Sequence, residues 1–284
     1  MSASPSLSLD LLSDIRQLLA FPFMVNALEA GTIVAVLAGS VGWYMVLRRQ
    51  SFAGHTLSVM AFPGAAGAAL AGFPTALGYY LACGAAALAI GRSRRGSRTE
   101  TAAIGTIQSA GLAAGFLFLS LNHAVLGGLE TLLFGDILGV SSGQVVGLLA
   151  IAAAVLSVLG LMARPLLFAT IDRDVAQASG VPVAALDIAF LLILAIAVAA
   201  TSQITGALLV FALLVAPPAA AHVLTNRPLA SLALSIGFAV LIAWLGLGIA
   251  YFSIYPVGFY ITSLAFGVYL LARGGRRLAT RTQR

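Results

Sequence analysis

The residues able to do chemistry are few, and the densest group is His55, Thr56 and Ser58. They lie in the stretch RRQSFAGHTLSVMAFPGAAGAALAG at 48–72, close behind the paired Arg48 and Arg49. One imidazole beside two hydroxyls is no catalytic set. No Ser/His hydrolase signature accompanies it. No H-E-x-x-H pair supports metalloprotease chemistry, and no G-x-x-x-x-G-K-[ST] loop supports nucleotide hydrolysis by this chain. The single Cys83 excludes an internal disulfide and a cysteine-based metal site. What remains is the chemistry of passage. Polar side chains within an apolar segment are costly and face a bundle interior or a pathway.

Other candidates fit that class. Asp136, in LETLLFGDILGVSSGQ at 129–144, either caps the helix beginning nearby or lines a pathway, and Asp187 has the same two readings. Pro217 and Pro218, within SQITGALLVFALLVAPPAAAHVLTNRP at 202–228, are expected to break the backbone ladder deep in an apolar run. Such a break lines a cavity or is a plain membrane-helix kink. His222 follows one turn later as a gate residue or a structural histidine. His123 stands beside Asn122, near Glu130, in an outer loop.

The elements that position these residues follow from composition. The 284 residues are 61% hydrophobic and 8% charged, with mean hydropathy +1.05. Soluble domains carry about 25% charged residues. The chain is therefore an all-α polytopic membrane protein with about eight to nine transmembrane helices. Spans of about 20 apolar residues fall near 27–47, 55–72, 75–91, 103–120, 143–163, 184–201, 204–225, 229–251 and 257–272. The shorter apolar piece at 124–140 reads as re-entrant or interfacial. Residues 1–26 form an N-terminal segment, amphipathic over 7–24, and 273–284 form a basic tail. Residues 1–24 lack a basic start and a small-residue cleavage site, so no cleavable signal peptide is expected.

The net charge of +6 is carried by arginine alone, with no lysine. Arg48, Arg49, Arg92, Arg94, Arg95, Arg98, Arg164, Arg173, Arg227 and the arginines from 273 onward all fall on one side if the spans alternate. Paired basic residues at span ends mark the cytoplasmic side, which places the amino terminus outside and the carboxyl terminus inside. The arginines are topology signals, and no nucleic-acid partner is expected. Small residues at Gly64, Ala65, Gly67, Ala68 and Ala69 give a face on which neighbouring helices can approach closely.

One cytoplasmic segment, ATIDRDVAQASGVPV at 169–183, breaks the hydropathy. Asp172 can cap a short helix, Asp174 suits its first turn, Gly180 ends it and Pro182 follows. The residues alone leave it as either an ordinary loop helix or a docking element.

The motifs also resemble a known family. Permease subunits of zinc/manganese-type ATP-binding-cassette (ABC) importers carry a stretch like R-R-x-S-x-x-G-D-x-x-S-H-x-x-x-P-G. Arg48, Arg49, Ser51, Gly54, Ser58, Pro63 and Gly64 match it. Leu133, Phe134, Gly135, Asp136 and Leu138 are similar to the family's L-F-G-D-x-L. The run at 202–228 resembles its Gly-Ala-Leu-Leu helix ending in L-L-x-x-P-A-A-x-A, and IAYFSIYPVGFYI, with Ser253, Pro256 and Gly258, resembles its last loop and span. The resemblance covers about residues 25–273.

It implies a type II ABC importer-like fold and a permease domain at 27–272. It further implies a homodimer in membrane lipid, an ABC ATPase subunit that uses the ATP, and an extracytoplasmic metal-binding protein. By the same resemblance the segment 169–183 is the coupling helix, with Asp172, Arg173, Asp174, Val175, Ala176 and Gly180 meeting the ATPase. Ser58, Asp136, Pro217 and His222 become pathway or gate residues. The transported substrate would be zinc or manganese, with no stably bound cofactor.

One departure bears on the metal. The family's Asp and His, at i and i+4, share one helix face as oxygen and nitrogen ligands. Here His55 stands at the Asp position and Val59 at the His position. His55 is thus left as a transient ligand or a packed histidine, with His123 a further candidate at the outer side. Exchange of carboxylate for imidazole tilts the expectation from manganese toward zinc. Two alternatives remain: a self-contained, gradient-driven carrier or channel, and an ABC permease for a metal chelate. The first lacks the several intramembrane carboxylates that coupled carriers show.

Overall fold

Apolar segments separated by short polar turns must satisfy their backbone internally in lipid, and helices do this one segment at a time. The computed structural model describes residues 16–18, 20–93, 100–121 and 135–282, and every regular element among them is helical. The long helices are α1 (Pro22–Leu47), α2 (Ser51–Leu70), α3 (Thr75–Ser93), α4 (Glu100–Leu121) and α5 (Ser142–Ile171). After the short α6 (Arg173–Ala178) come α7 (Val183–Thr205), α8 (Ala207–Leu224), α9 (Pro228–Tyr251) and α10 (Val257–Thr282).

Helices α1, α4, α5, α7, α9 and α10 are long and apolar enough to cross a membrane. Helices α2, α3 and α8 occupy the three other expected span positions without meeting that measure. In α2 and α3 glycine, alanine and hydroxyl residues dilute the apolar character. Helix α1 begins at Pro22, whose fixed φ suits the first helical position. Residues 22–26, expected in the N-terminal segment, thus belong to the first long helix. Helix α10 continues past 273 into the expected tail.

Helix α1 is central. Its most apolar stretch is 72% buried and that of α7 67%, against 17% for α10. It packs on α5, α7, α8 and α9, while α2 lies mainly on α3 and α4. Where α1 meets α9, Ser235 Oγ donates 2.7 Å to Gly39 O. The small face of α2 behaves as expected: a Cβ on Gly64 would lie 2.3 Å from Gly78 O on α3.

The prolines do not break α8. The helix runs unbroken through Pro217 and Pro218, and the interruption lies instead at Gly206, between α7 and α8, with φ 76°. Pro218 has no N–H for the carbonyl four residues back, that of Leu214. That carbonyl faces Gly42 of α1 so closely that a Cβ there would sit 2.2 Å away. The freed oxygen therefore lies against a glycine backbone, in the manner of a Cα–H···O contact between helices, and the helix persists.

Two ends of the bundle can be told apart by contacts. Arg48, Arg173 and Asp187 meet at one end, where Arg276 also donates 2.6 Å to Val223 O. At the other end Asn26 donates 3.1 Å to Val140 O, and Gly135 packs against Thr205 and Gly206.

Gly42→Ala is expected to destabilise the fold by about 1–3 kcal/mol through overpacking. Gly84→Ala, at a site with nothing within 4 Å of the added Cβ, is expected to be neutral or mildly stabilising. Thermal unfolding of the two purified variants in the same detergent checks the contrast.

Candidate functional site

The sequence left Asp187 as a helix cap or a pathway residue, and the structure pairs it with two arginines. The Arg48 guanidinium, from the turn after α1, pairs with Asp187 Oδ1. Arg173, in the first turn of α6, donates from Nη2 to Asp187 Oδ2 at 2.8 Å. The side chains of Arg48 and Asp187 are 6% and 8% exposed, whereas that of Arg173 is 58% exposed. Arg48 also donates 3.1 Å to Thr170 Oγ1 at the end of α5, and its guanidinium carbon sits 5.4 Å from the Phe190 ring centroid. Hydrogen bonds, an aromatic face and a carboxylate together make burial of this charge tolerable. One carboxylate thus joins the α1–α2 turn, the end of α5, the start of α6 and the start of α7. The arginines alone read as topology signals; an Asp near the same end of a predicted span was the clue to this cluster.

Helix α6 is short because both ends are capped. Asp172 Oδ1 accepts from Val175 N at 3.0 Å. At the other end Gly180 takes φ 84°, with Gly180 N donating to Gln177 O at 3.1 Å and Val181 N to Ala176 O at 3.0 Å. These are the two bonds of a Schellman ending. Ala176 is fully buried against Ala169 and Val183. Val175 is half exposed, and Asp174 and Gly180 are exposed. The helix is therefore pinned on its inner face, by Ala176 packing and the Arg173–Asp187 pair, and open on its outer one.

His55 lies near the start of α2, next to that cluster in sequence. Its ring centroid is 4.7 Å from that of Phe211 on α8, and its Nδ1 is buried with no hydrogen-bond partner among the described residues. The Ser58 hydroxyl donates 2.8 Å to the His55 carbonyl, one turn back on the same helix. Thr56 Oγ1 donates 2.9 Å to Gln108 Oε1, tying α2 to α4. Among the described residues no three His, Cys, Asp or Glu side chains converge as a metal cage.

The other candidates lie apart. Asp136 caps the turn Ile137–Gly139, accepting from Gly139 N at 2.9 Å. The long α5 has its own capping box in Ser141 and Gln144. His222 sits in a closed set with Trp43 and Ser231. Trp43 Nε1 can only donate, so Ser231 Oγ accepts it at 2.9 Å. The serine hydroxyl then faces His222 Nδ1 at 3.5 Å, and Nε2–H is left to donate to Trp43 O at 3.3 Å. The imidazole also stacks on the Trp43 ring at 5.3 Å. This set ties α1, α8 and α9 together over separations that sequence spacing does not reveal. His123, Leu133 and Phe134 lie outside the described residues.

Comparison with known proteins places this geometry. Residues 20–274 match the family described as the ABC 3 transport family. The manganese transport system membrane protein MntC of Halalkalibacterium halodurans is 34% identical over 239 residues, 84% of this chain and 81% of that protein. The chelated iron transport system membrane protein YfeC of Yersinia pestis is 34% identical over 208 residues, 73% of this chain and 70% of that protein. A chain in the structure of PsaBC from Streptococcus pneumoniae in complex with Fab superposes with a TM-score of 0.82. It is 28% identical, and the match covers 93% of this chain and 95% of that one.

Asp187→Asn leaves the buried Arg48 without its counter-charge and is expected to cost about 3–5 kcal/mol of stability. Arg173→Ala, at the exposed arm, is expected to cost less than about 1 kcal/mol. The double variant Arg48→Met with Asp187→Leu is expected to recover more than half of the single-variant loss. Denaturant unfolding of the three variants in one detergent measures all of these.

Proposed function

This chain belongs to the ABC 3 transport family, and we propose on that premise that it is the subunit through which a divalent first-row transition metal enters the cell. It is a multi-pass protein of the bacterial inner membrane and a permease of a metal ABC importer. The proposed topology has nine spans, with the amino terminus outside and the arginine-bearing end in the cytoplasm. Two copies enclose the pathway between them. An ATP-hydrolysing subunit docks on α6 of each copy, and an extracytoplasmic binding protein delivers the metal. The observation that carries the reading is the Arg173–Asp187–Arg48 link. It joins a capped, outward-facing helix to the turn that starts the His55 helix, so a rigid-body shift of α6 has a connection to the pathway.

His55 is the proposed transient ligand, with Ser58 holding its backbone rather than the metal. A pathway must release what it accepts, so a single imidazole suits passage better than storage. It also exerts little selection. The exchange of carboxylate for imidazole favours zinc, but the relatives' names speak of manganese and chelated iron. Manganese is therefore the first cation to test, with zinc and ferrous iron beside it. An intact metal chelate is the second reading, on the strength of the chelated-iron relative.

ATP-dependent uptake in vesicles holding the permease, its ATPase and its binding protein tests this. Manganese accumulation is expected to require ATP, and His55→Ala is expected to slow it about tenfold while the complex still assembles, the loss of one transition-state-only contact of about 1.4 kcal/mol. Uptake of a ferric chelate with no uptake of free cations would overturn the free-ion reading.

A further inference from the structure

The arginine-bearing end also holds an open cleft of about 540 Å³, lined by Leu47, Arg48, Arg49, Gln50, Thr170 and Arg173 among others. Three guanidiniums border it, and the carboxylate among them, Asp187, is already shared by Arg48 and Arg173. Arg49 is different. It is exposed, and among the described residues its guanidinium enters no ion pair. Its backbone takes φ 56°, the left-handed region, as no other non-glycine residue does among those described. An arginine at a left-handed position that suits glycine, lining an open cleft, points to a use for the side chain.

The surroundings favour a protein surface as occupant. Ile171, which lines the cleft, is 83% exposed, and Val175 on the adjoining α6 is half exposed. The patch is thus basic with an apolar edge, continuous with the outer face of α6. Two acidic side chains stand nearby, Asp172 and Asp174. Asp172 is engaged in capping α6, and neither lines the cleft.

We infer that the Arg48–Arg49–Arg173 cleft receives an acidic side chain of the ATP-hydrolysing subunit, with Arg49 as its direct partner. This rests on the docking proposed for α6 and extends it to a second contact beside that helix. Arg49 then adds orientation and charge selectivity to a contact that α6 makes largely by shape.

The test measures binding of the ATPase subunit that supports uptake with this permease. The permease is held in nanodiscs of zwitterionic lipid at several salt concentrations. Arg49→Glu is expected to weaken binding by about tenfold or more and to flatten its salt dependence, with Arg49→Lys close to wild type. Arg49→Gly is expected to weaken binding while raising the melting temperature, because it relieves the left-handed backbone. A melting temperature lowered by Arg49→Gly would show the side chain to be structural and overturn the inference. Wild-type binding that Arg49→Glu leaves intact overturns it as well, without touching the family-level reading. A loss that appears only in anionic nanodiscs assigns the cleft to lipid headgroups instead. No binding by the wild type overturns the docking on α6 and this contact with it.

Discussion

A carboxylate at the end of a membrane helix bundle is stable only where positive charge reaches it. Asp187 is held by Arg48 from inside the bundle and by Arg173 from its surface. The burial is unequal, and that inequality matters. The Arg48 arm is enclosed, bonded to Thr170 and laid near Phe190, so it behaves as part of the fold. The Arg173 arm is solvent-facing and belongs to a helix with few other attachments. The interior pair therefore fixes the position of the α1–α2 turn, and the outer pair ties α6 to the same carboxylate. Strength on one side and accessibility on the other are what a mechanical link requires.

The surroundings of His55, the proposed transient ligand, are sparse by comparison. The His55 imidazole lies against Phe211 with a buried nitrogen that has no hydrogen-bond partner among the described residues, and the Ser58 and Thr56 hydroxyls donate their protons elsewhere. This asymmetry fits a subunit whose task is to open and close rather than to bind. Affinity is better placed in a delivering protein, because a tight site inside the pathway would hold the ion.

Much of the architecture was legible in the sequence. Hydropathy located the long helices among the described residues, six of them long and apolar enough to cross a membrane, and Asp172 and Gly180 marked the two ends of α6. Asp136 was read as a cap or a pathway residue, and its carboxylate caps the turn beside it. The reading failed at Pro217 and Pro218, through which α8 runs unbroken; the Leu214 carbonyl, which Pro218 leaves without a donor, lies against Gly42 of another helix. The Trp43–Ser231–His222 set was invisible for the same reason, since its members are brought together only by tertiary packing. Arg48 was understood as a topology signal. In the structure it also pairs with Asp187, a role its sequence position does not reveal.

The central claim is that Asp187 transmits motion from α6 to the pathway, and the number of ATP molecules hydrolysed per metal ion imported measures this most directly. Arg173→Ala cuts the outer arm while leaving the buried pair in place. In vesicles with the complete importer, the account predicts that metal uptake falls more steeply than ATP hydrolysis in this variant, so the ratio rises several-fold. An unchanged ratio, with uptake and hydrolysis both preserved, would contradict it and reduce the arginine–aspartate link to a structural brace.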